Sequence, residues 1–295
     1  MMRIQKHILC ARTNKATLGA GASRGGEPRA SRKAISRLAV ATIAASATLS
    51  FAATAHASHH STNVSVSPGE TKTLNLACPP FVGKVISGGA VTATPNLRVY
   101  RSFPLTDDIT WSVSATNLDA NVQTLWVSII CANFPSYDMR STGHLTPSGA
   151  VRESVATCTS GQAMGGGFIT DNPYVPIIGS RIEGNNWRVR AYNGSTASSY
   201  VTSFVTCSSS LGVRYDEPIL NTTIAAGGAA FPTRKCTTGS GIMLSGGFWS
   251  NIDHGWPIVT GSLPNMDPTG NVIWKWNFRN WDSISHTYER TISCI

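Results

Sequence analysis

The chain has 295 residues, with 24 Lys and Arg against 15 Asp and Glu, and seven cysteines. Nine of the basic residues and one acidic residue lie in residues 1–57, which leaves 15 basic and 14 acidic residues in the remainder. Because almost no excess positive charge remains beyond residue 57 to attract phosphate, we expect no nucleic-acid partner.

Residues 1–57 have the features of a secretory signal peptide with an extended basic n-region. Three basic residues precede the apolar stretch LAVATIAASATLSFAA at residues 38–53, and AHA at residues 55–57 matches a small-x-small cleavage site. The apolar stretch is too short and too weakly apolar for a membrane-spanning helix. The sequence therefore predicts export of one domain, residues 58–295, without a transmembrane segment, to the periplasm or the extracellular space.

Histidines lie directly after the predicted cleavage site. Cleavage after Ala57 gives the N-terminus Ser58-His59-His60, and an amine with histidine at position three can bind Cu²⁺ or Ni²⁺ in a square plane. Cleavage two residues earlier would place His56 first, as in half of a copper brace for oxidative chemistry. No other residues support either site, so we expect a disordered terminus with incidental histidines, and no cofactor.

The pattern W-x5-N-x13-C occurs three times in the remaining chain. The three copies comprise Trp111, Asn117 and Cys131; Trp187, Asn193 and Cys207; and Trp274, Asn280 and Cys294. Upstream, each copy has an opening cysteine, a glycine pair and a serine. Such self-similarity indicates one supersecondary unit used three times, and we place the repeats at about residues 71–131, 152–207 and 233–294.

Six cysteines remain after the predicted cleavage, an even number in an exported chain, and they allow 15 pairings. The fixed spacing within the repeat favours pairing inside each copy, which gives Cys78–Cys131, Cys158–Cys207 and Cys236–Cys294. The rival scheme joins the end of one repeat to the beginning of the next, across connections of variable length. We expect the pairing within repeats, because a disulfide requires close Cβ atoms.

The repeats consist of strand patterns. WSVSAT at residues 111–116 and WRVRAY at residues 187–192 alternate apolar and polar residues, as half-buried strands do. We predict about four antiparallel strands per repeat, with the tryptophan beginning a core-facing strand. The asparagine ends that strand and enters a hairpin turn, where its side chain can bond its own backbone and tolerate a left-handed conformation. The fold class is therefore all-β, a pseudo-threefold β-prism or trefoil-like domain whose three tryptophan-bearing faces meet on a shared axis. Residues 132–149 and 208–232 are expected to be surface connections.

The segment between the glycine pair and the serine differs most among the repeats. It carries aromatic residues beside Asn, Asp or His, which are Asn96 and Tyr100; Asp171, Asn172 and Tyr174; and Trp249, Asp253, His254 and Trp256. Aromatic rings can stack on the C–H faces of a sugar while amides and carboxylates bind its hydroxyl groups. These residues are the predicted ligand-binding set. The alternative is that the aromatic residues fasten loops to the core.

These observations favour a secreted, non-enzymatic binding or adhesion module for carbohydrate, that is, for a glycan or another surface polymer. The alternative is a structural or protein-interaction component of the cell envelope. A copper-dependent or hydrolytic secreted enzyme is a third hypothesis, but the sequence contains no G-x-S-x-G, H-E-x-x-H or P-loop motif. We therefore predict no catalytic residues and no metal ligands.

Overall fold

The structure, a computed structural model, describes residues 57–210, 214–237, 241–254 and 258–295. Within these ranges the regular structure consists of strands alone, in three antiparallel sheets of six or seven strands. The predicted all-β class is confirmed. The described part of the chain contains no helix that is long and apolar enough to cross a membrane.

Each repeat begins before the predicted bounds, at β1, β7 and β13, and has six strand positions instead of the four or so predicted. The first repeat comprises β1 (Ala57–Val66), β2 (Thr71–Ala77), β3 (Lys84–Thr92), β4 (Leu97–Pro104), β5 (Thr110–Asn117) and β6 (Gln123–Ala132). The second comprises β7 (Asp138–Thr146), β8 (Val151–Thr157), β9 (Gln162–Thr170), β10 (Ile177–Glu183), β11 (Asn186–Tyr192) and β12 (Ser199–Ser208). The third comprises β13 (Tyr215–Asp216), β14 (Leu220–Ile224), β15 (Ala229–Ala230), β16 (Thr233–Arg234), β17 (Met243–Ser250), β18 (Ile258–Met266), β19 (Val272–Arg279) and β20 (His286–Cys294). In the third repeat, the short strands β13 and β14 take the place of the first strand, and β15 and β16 take the place of the second.

Every sheet combines strands from two repeats. The strand orders are β1-β6-β3-β18-β19-β15, β7-β12-β9-β4-β5-β2 and β13-β20-β17-β10-β11-β8, with β14 also on β20 and β16 also on β19. Each repeat thus gives half of its strands to one sheet and half to the next. This cyclic exchange is pseudo-threefold and makes the repeats one domain, because no repeat completes a sheet alone.

The two segments predicted as surface connections contain strands, so that prediction is wrong. Within residues 132–149, β7 pairs with β12 along its full length. Within residues 208–232, β14 pairs with β20, and the short β13 and β15 pair with β20 and β19. Most side chains of β7 and β14 are exposed or half-buried. An edge strand with so few buried positions lacks the apolar alternation by which strands are recognised in sequence.

The predicted disordered N-terminus is also a strand. From Ala57 onward β1 pairs with β6, with His59 opposite Ile130 and His60 opposite Ile129. The Nε2 atom of His59 lies 3.2 Å from the carbonyl oxygen of Pro264. The segment that could wrap a square-planar metal is therefore engaged in a β-ladder. His56 lies outside the described residues.

The glycine pairs mark the places where two repeats meet. A Cβ atom on Gly88 would lie 2.7 Å from the Trp111 ring, and Gly166 and Gly246 have the same relation to the tryptophans of their own repeats. A Cβ atom on the second glycine of the pair would meet the serine-bearing strand of another repeat instead. For Gly167 the distance to the Ser102 carbonyl oxygen would be 2.1 Å. Only glycine allows this approach of the two backbones.

The three tryptophans occupy like settings within their repeats. Trp111, Trp187 and Trp274 are 0%, 3% and 2% exposed. Their Nε1 atoms donate to the hydroxyl groups of Ser102, Ser180 and Ser262 at 3.0, 3.0 and 2.9 Å. The prediction that each tryptophan lies near the start of a strand and faces the core is confirmed.

The tryptophans do not meet on a shared axis as expected. Trp111 belongs to one hydrophobic cluster, whereas Trp187 and Trp274 belong to another. The repeats instead contact each other through strands β3, β9 and β17, where Ile86, Met164 and Leu244 form equivalent bulges and are fully buried. The Thr206 hydroxyl donates to the Ile86 carbonyl oxygen at 2.7 Å across this contact.

The repeated asparagine follows or ends its strand and bonds the backbone of its own turn, as predicted, but it is buried and does not adopt the left-handed conformation. Asn117, Asn193 and Asn280 are at most 1% exposed, and none has a positive φ. The Asn193 amide donates to the carbonyl oxygens of Thr146 and Ala197, both at 2.8 Å, and its Oδ1 accepts from the Ser195 amide at 3.0 Å. In each repeat a buried amide thus holds the turn after the tryptophan-bearing strand against the end of an edge strand.

The three disulfides form within the repeats, as predicted. Their Cα–Cα distances are 5.8 Å for Cys78–Cys131 and for Cys158–Cys207, and 6.0 Å for Cys236–Cys294. Each bond links a residue just after a strand of one sheet to a strand of another sheet, at the end of the domain opposite the asparagine turns. Closing loops of 49 to 58 residues contributes roughly 4 kcal/mol each in the chain-entropy model. Disulfides are typical of an oxidising environment outside the cytosol.

We expect Asn193→Ala to lower the free energy of unfolding by about 2–4 kcal/mol, because it leaves buried carbonyl groups without donors. Denaturant titration measures the change. Asn185→Ala, at an exposed asparagine in the turn between β10 and β11, is the control and should stay within about 0.5 kcal/mol. Equal effects of the two substitutions would contradict the anchoring role.

Gly167→Ala should destabilise the protein by about 3 kcal/mol, because its Cβ would overlap backbone atoms that cannot rotate away. Gly143→Ala is the matched control in an edge strand, where the new Cβ would approach only the Thr202 hydroxyl, at 3.0 Å. We expect the control to change stability by less than about 1 kcal/mol. Thermal or denaturant unfolding of both variants tests the junction, and a mild effect of Gly167→Ala would refute it.

Candidate functional site

The described residues of the three variable connections lie at one end of the domain, here called the loop end. They are residues 93–96, 171–176 and 251–254. At this end lies a largely apolar pocket of about 70 Å³, called the axial pocket. Residues of all three repeats line it, because strands β3, β9 and β17 end there side by side.

The lining of the axial pocket follows the pseudo-threefold repeat. Each repeat contributes the residue at one equivalent strand position, which is Ala90, Phe168 or Phe248. Each of these residues lies opposite the repeated serine of another repeat. A second equivalent set is formed by Val99, Ile177 and Val259. The first repeat thus has a methyl group where the other two have a phenyl ring. We attribute the space inside the pocket to this difference.

One charged side chain lines this apolar pocket. Arg98 takes the position that Pro176 has in the second repeat, and its side chain is half-buried. Its Nε atom is buried and has no hydrogen-bond partner among the described residues. Burial lowers the pKa of the guanidinium, yet an arginine stays protonated at physiological pH. An incompletely paired cation at an apolar cavity favours an anionic ligand group.

The second connection carries an exposed aromatic ring beside this arginine. Tyr174 is 49% exposed, and the guanidinium carbon of Arg98 lies 5.6 Å from the centre of its ring. Asn172 Oδ1 accepts from the Tyr174 amide at 2.7 Å, and Asp171 Oδ2 accepts from the Tyr200 amide at 3.1 Å. The two polar residues predicted to bind a ligand therefore fasten the connection, while Tyr174 presents its ring to solvent.

The predicted residues of the first repeat lie near the pocket without lining it. Asn96 is exposed, and its carbonyl oxygen accepts from the Leu118 amide at 2.7 Å. Tyr100 lies at a bulge in β4, with the guanidinium carbon of Arg101 5.3 Å from the centre of its ring. Neither is among the residues that form the pocket wall.

The predicted residues of the third repeat lie in a different place. Trp249 is 5% exposed and has the guanidinium carbons of Arg181, Arg188 and Arg190 at 4.7, 5.2 and 5.9 Å from its ring centre. Asp253 accepts from Arg190 at 2.5 Å. The ring of Trp249 is thus occupied by cation–π contacts and not open for stacking. Trp256 lies outside the described residues.

His254 lines a second space, here called the side cleft, of about 510 Å³. Trp249, Asn251 and Glu289 are also in its wall, and His286 lies directly beside His254, with ring centres 5.7 Å apart. The predicted residues of the second and third repeats therefore lie beside two different spaces, the axial pocket and the side cleft.

Sequence reasoning missed the side chains that give each space its chemistry. Arg98 lies within the segment on which the predicted set was based, but it was passed over in favour of Asn96 and Tyr100, and His286 lies outside that segment, at the start of β20. Trp281 is 53% exposed at the loop end. An alignment of the three repeats on their serine and asparagine positions would have shown Arg98 and His286 as departures from the other copies.

No protein-family model matches the chain, and no curated protein matches it significantly. Its function is therefore inferred from the geometry of the loop end.

We expect Ala90→Phe to fill the axial pocket, because the other repeats place a phenyl ring at this position. The free energy of unfolding should stay unchanged or rise by about 1 kcal/mol. Ala115→Phe, at a fully buried alanine of β5 outside the pocket, is the control and should be strongly destabilising. Denaturant unfolding decides, and comparable losses of stability would show that Ala90 borders no usable space.

Proposed function

We propose that the protein is an exported, non-enzymatic binding module that recognises an acidic, acylated glycan or similar surface polymer at its loop end. The observation that carries the proposal is the axial pocket, an apolar cavity with an incompletely paired arginine in its wall. The three disulfides support export, since they suit an oxidising compartment.

The size of the axial pocket favours one substituent of a larger ligand. Pockets that enclose a whole drug-sized molecule hold roughly 300–1,000 Å³, whereas this one holds about 70 Å³. A short acyl group would fit between Phe168 and Phe248 and remove apolar surface from water. The remainder of the ligand would stay at the surface, where the ring of Tyr174 is exposed.

The charge at the pocket favours an acidic sugar over a neutral one. A carboxylate beside the acyl group would accept charge-assisted hydrogen bonds from the half-buried guanidinium of Arg98. Tyr174 would then stack on a C–H face of the same ring. A polymer of such sugars would bind through one sugar unit of its chain, since the axial pocket is small and occurs once, on the pseudo-threefold axis.

A glycan array that contains acidic and neutral sugars, each with and without acyl groups, tests the proposal. We expect binding to acidic acylated sugars, weakened about 10–100-fold by Arg98→Gln because a charged hydrogen bond is lost. Ala90→Phe should abolish binding while the protein stays folded. Tyr174→Ala should weaken binding, and Tyr200→Ala, at a tyrosine that is 54% exposed on β12, should not.

Arg290→Gln is the matched control for Arg98→Gln. Arg290 is also half-buried, lies 5.6 Å from the Trp276 ring and has a pKa lowered by burial, but it lies outside the pocket wall. If the two arginine substitutions weakened binding equally, the weakening would reflect the loss of positive charge in general and not of a contact at the pocket. An array without any bound glycan would contradict the proposal and favour the protein-interaction alternative.

A further inference from the structure

Three metal-ligating side chains of the third repeat converge at the side cleft. His254 follows β17, Asp282 lies in the turn between β19 and β20, and His286 begins β20. The Nε2 atoms of His286 and His254 lie 2.9 and 3.6 Å from the same Asp282 oxygen, Oδ2. The three ligand atoms all lie within 4.8 Å of one another. We propose that they form a Zn²⁺ site, distinct from the axial pocket and independent of the proposed function.

The donor set and its spacing suit this ion. Zinc binds imidazole nitrogen and carboxylate oxygen at about 2.0–2.2 Å, and tetrahedral geometry then separates the ligand atoms by roughly 3.3–3.5 Å. The distances from Asp282 Oδ2 to the two imidazoles lie on either side of that value. Two imidazoles and one carboxylate leave a fourth position open, which a water molecule can occupy. The side cleft of about 510 Å³ leaves room for it.

A buried asparagine beneath the turn that carries Asp282 holds that turn in place by hydrogen bonds. Asn280 is buried, and its Oδ1 accepts from the Asp282 amide at 2.9 Å while its Nδ2 donates to the Ile284 carbonyl oxygen at 2.6 Å. The side chain of His286 is 9% exposed and that of Asp282 is 24% exposed. Two ligands are therefore pre-positioned by the fold. His254, with its side chain 47% exposed, completes the set from the solvent side.

The other repeats show that the turn does not require histidine. In the first repeat the equivalent residues are Asp119 and Gln123, and the Gln123 amide donates to Asp119 Oδ2 at 3.2 Å. In the second repeat both positions are serines, Ser195 and Ser199. A glutamine thus satisfies the same aspartate in the same turn. The imidazole of His286, together with that of His254 across the cleft, adds ligand capacity that the other two copies lack.

Zinc titration of the purified, chelator-treated protein by isothermal calorimetry tests the proposal. We expect one Zn²⁺ per chain. His286→Gln copies the hydrogen-bonded pair of the first repeat and so keeps the turn intact while removing a ligand. Because even the loss of an outer-shell partner weakens metal binding roughly 10–100-fold, this variant and His254→Ala should weaken it by at least about 100-fold.

His144→Gln, at an exposed histidine of β7, is the control and should leave zinc affinity unchanged. Circular dichroism confirms that each variant has the wild-type fold. The absence of stoichiometric zinc binding by the wild type would overturn the proposal. So would zinc binding of unchanged affinity in the double variant of His254→Ala and His286→Gln, since the ion would then lie elsewhere, for example at His59 and His60.

Discussion

The close approach of two backbones at each junction between repeats is the constraint on which the architecture depends. The second glycine of each pair lies against the serine-bearing strand of another repeat, where a side chain would overlap backbone atoms. The first glycine leaves the space that a tryptophan ring fills, and that tryptophan bonds the serine of its own repeat. One arrangement therefore joins sheets across repeats, seals the core and sets the register. Because it occurs three times, the three variable connections are brought to the same end of the domain.

Much of the fold could be predicted because the register of the strands determines the sequence spacing between the repeated residues. The distance from Trp187 to Asn193 and on to Cys207 is repeated without change in the other copies, so strands, repeats and disulfides could be inferred together. The edge strands could not be inferred, since β7 buries little apolar surface and has no alternation to recognise. The turn at Asn193 could be inferred, but its burial could not, because exposed and buried turn asparagines look alike in sequence. Its amide also donates to the Thr146 carbonyl oxygen, in a strand that only the tertiary fold brings alongside.

The sequence indicated which connections vary, but not which of their side chains face an open space. The connections after the glycine pairs do lie together, and Tyr174 is exposed there as a binding residue should be. Trp249 has the same sequence context, yet three arginines from neighbouring strands cover its ring. No local pattern distinguishes a free ring from a covered one, since the arginines come from β10 and β11. The side chains that define the two spaces, Arg98 and His286, lie where strands begin and become visible only as differences between copies.

A symmetric scaffold gains specific sites where its copies differ. A space on the pseudo-threefold axis can occur only once, and the axial pocket draws on all three repeats, so the change from phenylalanine to Ala90 in one copy alters the whole cavity. A cleft beside the axis could occur once in each repeat, and the side chains that give it its chemistry depend on that repeat alone. The donor set at the side cleft accordingly belongs to the third repeat, while the first keeps only a hydrogen-bonded pair at Asp119. Because the buried asparagines hold each turn from below, both kinds of divergence can occur without disturbing the junctions that maintain the fold.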